Sequence, residues 1–516
     1  MFEINVVLTE HNKKSSSIVF DHARAPLYDC IRVFRERLIA PFYCPGHKGG
    51  RSLPPELQGS LGELDLNNLP DTDTLHCPTG PIRDAEELVA DAYGVDRSFL
   101  MVGGSSLGNM AAVMSIAGPN DTVLVQRNAH KSVIAGIIHS GASPVWLMPE
   151  WDQRFGIAHG LDISTVEQAV ARHADAKGLV VLNPTYFGTV ADIKAISHVC
   201  DRRSIALIAD EAHGPHFRFG EGYPLAAENA GADIVVQSTH KILSGLSQAA
   251  VLHLNGNRVD PARVQAALQS LQTTSPNFAI IASIDLARRQ MMQEGRSRLN
   301  SMLELSDIAR HRIRSIKGIE LLEQFHALGS GRGFYALDRT KLLIDTSRIG
   351  WSGEDALRFL NREYGVQPEL SGAGYLLCIL TLGSIREDVD QLVCGLKDLS
   401  VRKPPHREDL SDVNLLAARV ARELPEAMMT PREAFYSKQQ SIPIEKAMNR
   451  ISAEIVTPYP PGIPVMMPGE RFNRYTLELL GAVKRSGCPI SAVDPSLETV
   501  RVVSGVSAKR ATVTAT

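Results

Sequence analysis

The sequence predicts an α/β protein built on a mostly parallel sheet, and three observations carry that prediction. From about residue 85 to 255, short apolar runs alternate with helical stretches, the pattern of a sheet covered on both faces. Two successive runs lead into chemically loaded side chains: Ile205-Ala206-Leu207-Ile208-Ala209 ends at Asp210, and Asp233-Ile234-Val235-Val236 runs on to Lys241. Ligands of such sheets sit outside the carboxyl ends of the strands. A glycine-serine stretch, Val102-Gly103-Gly104-Ser105-Ser106-Leu107-Gly108-Asn109, follows the strand-like run 98–101 and opens a helical run over 110–116.

The elements follow in chain order. The first 25 residues are polar around His11-Asn12-Lys13-Lys14-Ser15 and read as a mobile extension. Helical periodicity covers 26–38, and a turn-rich segment covers 41–51. Strands are expected at 123–125, 144–147, 178–182, 206–209 and 234–236, with helices at 162–172 and 191–201. Residues 300–400 change character. Strands at 333–337, 341–345 and 375–382 and helices at 353–364 and 386–396 describe a smaller α+β unit. Arg402-Lys403-Pro404-Pro405-His406 reads as a linker. The tail holds a helix at 412–424 and a proline-rich turn over 457–464. The expected domains are therefore an N-terminal extension and helix (1–44), a large ligand-binding domain (45–300), a small domain (301–400) and a C-terminal α+β domain (401–516).

Composition narrows the function classes. The 516 residues allow several domains and a large core. A formal charge of -3 without a dense Lys/Arg block argues against nucleic-acid binding. The seven cysteines are scattered without a Cys-x-x-Cys pair. They fit reduced thiols in a cytoplasmic protein, with neither a disulfide frame nor a metal site. No apolar run reaches membrane-spanning length. The N-terminus lacks the basic and apolar regions of a signal peptide.

An acidic residue at one strand end and a lysine at the next suit pyridoxal 5′-phosphate (PLP). The lysine amine takes up the cofactor aldehyde, and the aspartate pairs with the pyridine nitrogen and keeps it protonated. Ser238-Thr239-His240-Lys241 alone would be an ordinary loop sequence. The glycine-serine stretch adds to it. Gly104, Ser105 and Ser106 offer close backbone approach, helix-start N–H groups and two hydroxyls to a phosphate. Its plain alternative is a glycine turn with a serine cap.

These residues also carry a resemblance. Pro45-Gly46-His47-Lys48, Leu75-His76-Cys77-Pro78-Thr79-Gly80, Arg127-Asn128-Ala129-His130-Lys131-Ser132 and Asn183-Pro184-Thr185-Tyr186 stand in order. Asp210-Glu211-Ala212-His213-Gly214, Ser238-Thr239-His240-Lys241, Thr273-Thr274-Ser275-Pro276-Asn277 and the segment 452–464 follow. Together they resemble the blocks of the Orn/Lys/Arg decarboxylase family, of PLP fold type I. The resemblance implies a mostly parallel seven-stranded sheet of aspartate aminotransferase type. It implies PLP as cofactor, with Lys241 as its covalent anchor and Asp210 as pyridine partner. His130 would stack on the ring, and His213 would lie near the ring hydroxyl or the substrate carboxylate. Gly104, Ser105, Ser106, Ser238 and His240 would surround the phosphate. Thr274 and Ser275 would come from a neighbouring subunit, in a homodimer or dimer of dimers. Only 44 residues precede Pro45, so the chain resembles the short form without an N-terminal wing domain. The flank Ile242-Leu243-Ser244-Gly245 is looser than the family's Thr-rich version.

The implied reaction is decarboxylation of arginine, lysine or ornithine to agmatine, cadaverine or putrescine, within polyamine metabolism. A basic substrate needs an acidic partner at its far end. Glu454 in the C-terminal block is the first candidate, followed by Asp71 and Asp73, either of which could instead cap a turn. A same-fold aminotransferase or oxidase would keep Lys241 and Asp210. A catalytically silent regulator would not need Lys241, Asp210, His130 and the glycine-serine loop together.

Overall fold

The computed structural model describes residues 40–43, 46–48, 50–58, 64, 66, 68, 72–405, 424–458, 464–485 and 490–505. The helix expected at 26–38, the one expected at 412–424 save Leu424, and the heart of the proline-rich turn lie outside them.

A seven-stranded sheet organises the first half. With β1 assigned to Ala40–Phe42, the sheet strands are β2 (Arg97–Met101), β3 (Thr122–Gln126), β4 (Ser143–Leu147), β5 (Gly178–Leu182), β6 (Ala206–Asp210), β7 (Ile234–Gln237) and β8 (Ala250–Leu254). Their order is β2-β8-β7-β6-β5-β3-β4. The five strands from β7 to β4 run parallel, and β8 is antiparallel to both its neighbours. The mostly parallel sheet expected from the alternating runs is therefore present.

Side chains alternate across it as the strand period of two requires. On one face Val123, Val125, Val180, Ala206, Ile208, Ile234 and Val236 meet helices α2 (Gly104–Ile116) and α3 (Lys131–Ser140). On the other, Leu124, Leu179, Leu207, Ala209 and Val235 meet α4 (Ile163–Arg172) and α5 (Ile193–Asp201). Asp210 shares the parity of Ala206 and Ile208, so it opens on the α2 and α3 side. A further helix, α1 (Pro81–Tyr93), packs near β2 and β8. Helix α2 starts at Gly104, earlier than the expected run over 110–116, so the glycine-serine stretch is itself the first helical turn.

After α6 (Pro261–Leu271), one 37-residue helix, α7 (Phe278–Arg314), runs on into a second core. That core holds the antiparallel strands β9 (Lys341–Asp345) and β11 (Tyr375–Ile379) with α8 (Gly353–Tyr364) and α9 (Arg386–Val401). Strand β10 (Val366–Pro368) pairs in parallel with β1. The strand expected at 333–337 does not join this sheet. Only Ala336–Leu337 is extended, and it pairs with Thr189–Val190. Gly333 explains the diversion: a Cβ there would lie 2.3 Å from the Gly160 carbonyl oxygen, so the backbone is pressed against the larger sheet's loops.

A third core joins β12 (Gln439–Pro443), β13 (Thr499–Val503) and α10 (Arg474–Arg485) around Phe472, Met466 and Leu480. It is locked to the large sheet by a buried ion pair. Arg127, just past β3, reaches both carboxylate oxygens of Glu470, with Nη2 to Oε2 at 2.8 Å. Both side chains are 2% exposed. Met467 N–H donates to the same carboxylate, and the guanidinium lies 5.3 Å from the Trp146 ring. Ile134 and Ile138 of α3 pack on Met467. The third core thus clamps the helix that begins beside His130.

Removing one partner of a buried pair strands the other charge. Glu470→Ala should cost about 3–5 kcal/mol of stability, and the double Arg127→Met/Glu470→Met change much less. Urea unfolding of both variants checks this; equal losses would contradict it. A second test concerns pH. Burial pushes the Glu86 carboxyl on α1 up to about 7, opposed by the Leu100 N–H it accepts at 3.2 Å. A carboxyl with a raised folded pKa holds its proton more tightly in the fold. Its contribution is fully present below its unfolded value of 4.5 and is lost as pH rises through about 7. Glu86→Gln should remove a decline on the order of 2–3 kcal/mol between pH 5 and 8. An unaltered pH slope in urea midpoints would refute that assignment.

Candidate active site

The site forms where β6 and β7 end. Val236 stands abreast of Asp210, so the chain leaving β7 turns directly beside the carboxylate. A single helical turn, Thr239–Ile242, then presents Lys241. Its Nζ lies 2.9 Å from His213 Nε2. His213 is buried, and burial holds its imidazole well below its usual pKa, with the Lys241 charge next in effect. The neutral ring therefore accepts from the lysine ammonium at Nε2 and carries its own proton on Nδ1. That Nδ1 is buried and has no hydrogen-bond partner. The Tyr186 ring packs edge-on against His213 at 4.6 Å, and its hydroxyl donates to Glu369 at 2.5 Å.

Asp210 is buried at 3% exposure. Its Oδ1 accepts from Ala212 N–H at 3.2 Å and its Oδ2 from Asn109 Nδ2 at 2.8 Å. His130 caps α3, its Nδ1 accepting from the Ser132 N–H and lying 2.7 Å from the Ser132 hydroxyl. Part of His130 remains exposed. Desolvation of its ring lowers its pKa, with Asp210 opposing and Lys241 and Lys131 reinforcing.

The start of α2 makes the third wall. No side chain caps this helix; the Gly104 N–H donates to the Gln248 carbonyl at 2.9 Å, which leaves the N–H groups that follow it in the first turn to face an anion. Ser238 Oγ donates to Ser105 Oγ at 2.8 Å, tying the lysine turn to that helix start. Gly104 has φ +70°, and a Cβ there would meet nothing within 4 Å. The glycine is required by its left-handed backbone, not by crowding. His240 donates from Nδ1 to the Ala249 carbonyl at 2.9 Å.

Gly46, of the Pro-Gly-His-Lys block, seats the lysine turn from outside. Its N–H donates to the His240 carbonyl at 2.7 Å, and a Cβ would lie 2.5 Å from the Leu243 carbonyl oxygen. Thr381 Oγ1 donates to the Gly46 carbonyl at 2.6 Å, and the Leu382 N–H reaches the Ile242 carbonyl at 3.4 Å.

The structure thus brings Lys241, His213, Asp210, His130, Ser238 and His240 to the ends of β6 and β7, with Ser105 tied to Ser238 and Gly104 and Ser106 beside it in the first turn of α2. Thr274 and Ser275 are exposed on the connection between α6 and α7. Among the described residues no hydrogen bond joins them to Lys241 or Asp210. Asp71 lies outside the described residues. Asp73 is a structural cap: its carboxylate accepts from the N–H groups of Thr74, Thr79, Gly80 and Ile82 at the start of α1. Burial opposes ionisation of Asp73, yet those N–H groups hold its carboxyl below the usual range. Glu454 likewise accepts from Val493 and Arg501 N–H at 2.7 and 2.5 Å, tying the C-terminal core together. Sequence reasoning missed Asn109, Tyr186 and Glu369 as parts of the site. The first two lie inside stretches singled out for their neighbours; Glu369 carried no local signal.

The residues present suit PLP. They offer an amine for its aldehyde, a buried carboxylate for its ring nitrogen, uncapped helix amides for its phosphate and an orphaned imidazole nitrogen. A methyl group tests the two glycines differently. Gly104→Ala should cost about 1 kcal/mol, from backbone strain alone, and Gly46→Ala about 3 kcal/mol, because backbone must move. Denaturant unfolding distinguishes them; equal losses would contradict the contact analysis.

Comparisons with known proteins agree with this geometry. Residues 25–388 match the family described as Orn/Lys/Arg decarboxylase, major domain, and residues 414–488 its C-terminal domain. The chain is 37% identical over 483 residues to an arginine decarboxylase of Bacillus subtilis, covering 93% of this chain and 97% of that one. It is 26% identical to the constitutive lysine decarboxylase of Escherichia coli, over 93% and 79% of the two chains. Among solved structures, the lysine decarboxylase LdcF of Francisella novicida superposes with a TM-score of 0.75 at 22% identity, covering 93% and 81%. A ureidoglycine-glyoxylate aminotransferase of Bacillus subtilis superposes with 0.53 at 17%, covering 72% and 96%. The fold is that of the fold type I PLP enzymes. The chain belongs to the Orn/Lys/Arg decarboxylase family and is an amino-acid decarboxylase.

Proposed function

We propose that this protein binds PLP and decarboxylates L-arginine to agmatine and CO2. The observation that carries the cofactor assignment is the Lys241 amine on a neutral His213, one strand away from the buried Asp210. The substrate assignment is supported by arginine decarboxylases of Bacillus and Halalkalibacterium at 36–37% identity, against 25–27% for lysine decarboxylases.

When bound, PLP supplies an electron sink for the bonding pair left at Cα as CO2 departs. The chain's own residues prepare that step. His213, neutral, accepts a hydrogen bond from the Lys241 nitrogen at 2.9 Å and so orients the group that would take up the cofactor aldehyde. Lys241 Nζ later returns a proton to the substrate Cα. Asp210, buried at the end of β6, would pair with the ring nitrogen of the cofactor, the cation a buried carboxylate calls for. His130 covers the ring. The first turn of α2, with Ser105, Ser106, Ser238 and His240, holds the phosphate. Glu369, joined through Tyr186 to His213, meets the guanidinium of the substrate in place of Glu454 and Asp73, whose oxygens accept backbone N–H groups.

The same reading makes the working unit a homodimer or dimer of dimers, with Thr274 and Ser275 donated across the interface. It places the enzyme in the cytoplasm, in polyamine metabolism. Among the described residues no helix is long and apolar enough to cross a membrane.

Amine release by the PLP-loaded protein from L-arginine, L-lysine and L-ornithine tests the proposal. Agmatine should dominate, and Lys241→Ala should form none. Asp210→Ala should lose roughly 100-fold or more in kcat, and Glu369→Gln should act mainly on KM for arginine. Cadaverine or putrescine as main product would reassign the substrate. Keto acid or peroxide would mean altered chemistry on the same fold, and a protein that never takes up PLP would be a silent relative.

A further inference from the structure

We propose that Asn109 is a positioning residue whose single side-chain amide fixes both the Asp210 carboxylate and, through Ser132, the ring of His130. This rests on the reading above, in which Asp210 and His130 flank the cofactor ring.

Asn109 sits on the second turn of α2 and is 1% exposed. Its Nδ2 carries two hydrogens, and both are used. One goes to Asp210 Oδ2 at 2.8 Å and the other to Ser132 Oγ at 3.1 Å. Its Oδ1 is buried and has no partner. The reversed amide would place that oxygen against the Asp210 carboxylate, acceptor against acceptor. The orientation is therefore determined, and the fold tolerates an orphan carbonyl to keep both donors in place.

Donation then runs in one direction. Ser132 Oγ accepts from Asn109, which leaves its own hydrogen for His130 Nδ1 at 2.7 Å. The Ser132 N–H points to the same nitrogen at 3.3 Å. With two donors aimed at it, Nδ1 is an acceptor, and the neutral imidazole carries its proton on Nε2. A neutral ring can lie over a positively charged pyridine without repulsion. The groups facing His130 are Asp210 on β6, Lys241 on the lysine turn and Lys131 on its own helix. The two elements that carry the network, α2 and α3, pack on the same sheet face as Asp210. The linkage spans 101 residues between Asn109 and Asp210 and 23 between Asn109 and Ser132.

The isosteric Asn109→Asp replaces donors by acceptors and sets like charges together, and Asn109→Ala removes the donors. PLP titration of each full-length protein, read by the Lys241-dependent visible absorbance, should show affinity weakened roughly 10- to 100-fold, more for Asn109→Asp. Apoprotein melting should move far less. Ser132→Ala keeps the Asp210 bond, leaves one Asn109 N–H without its acceptor and removes one of the two donors to His130 Nδ1, the Ser132 N–H at 3.3 Å remaining. With one donor fewer, Nδ1 binds a proton more readily, so the acidic limb of the kcat/KM profile should move to higher pH with PLP affinity within about threefold of wild type. If Asn109→Asp does not fold, the Ser132→Ala profile decides. Wild-type PLP affinity in both Asn109 variants, or an unmoved acidic limb in Ser132→Ala, overturns the assignment. A wild-type protein without Lys241-dependent absorbance overturns the PLP reading as well, and so separates the two failures.

Discussion

The site depends on keeping one carboxylate charged at the end of a central, fully covered strand. Asp210 is cut off from water, and an isolated buried charge is far too costly to persist. The structure meets part of that cost with two N–H donors, from Ala212 and Asn109. Everything nearby follows from the position of β6. Its register with β7 brings the lysine turn alongside, and its side-chain parity turns Asp210 toward α2 and α3, which supply Asn109, Ser132 and the uncapped helix start.

The lysine turn is held from three directions, and none of the three is local. Ser105 ties it to α2, Gly46 presses on it from the N-terminal segment, and Leu382 reaches it from the end of β11. Lys48 is part of the same brace. Its ammonium is buried and donates to the carbonyls of Tyr43 and Ile379. Gly46 and Lys48 therefore shape the site by bracing the lysine turn, and His47 adds its charge to the groups that lower His240. Only a residue without a Cβ can approach the turn so closely.

Electrostatically, the hollow gathers imidazoles that burial keeps neutral. His213, His240 and His130 all lie below their usual pKa. Deeper in, Asp338 lies between Lys341 and His216 with no exposure of any of the three side chains. Burial raises the Asp338 carboxyl, but His216 and Lys341 outweigh it and hold it ionised. The Lys341 charge also pushes His213 down. Strand β9 of the second core thus contributes to the state of the lysine's partner.

The sequence by itself determined the sheet class, the strand end carrying Asp210, the turn carrying Lys241 and the glycine-serine stretch, though not that this stretch is itself the first turn of α2. These are matters of short-range pattern: apolar runs, turn residues and a glycine at positive φ leave a local trace. Only the tertiary structure shows what each acid already binds. Glu454, the first candidate in sequence, and Asp73, the weaker one that could instead cap a turn, both accept backbone N–H groups, Glu454 from partners about forty residues away. Asn109, Tyr186 and Glu369 gained their roles from contacts across 101, 27 and 183 residues. The segment 333–337 left its expected sheet because Gly333 is pressed against Gly160. Side-chain partners so far apart in sequence share no periodicity, so their pairing exists only once packing has fixed which strand end each of them reaches.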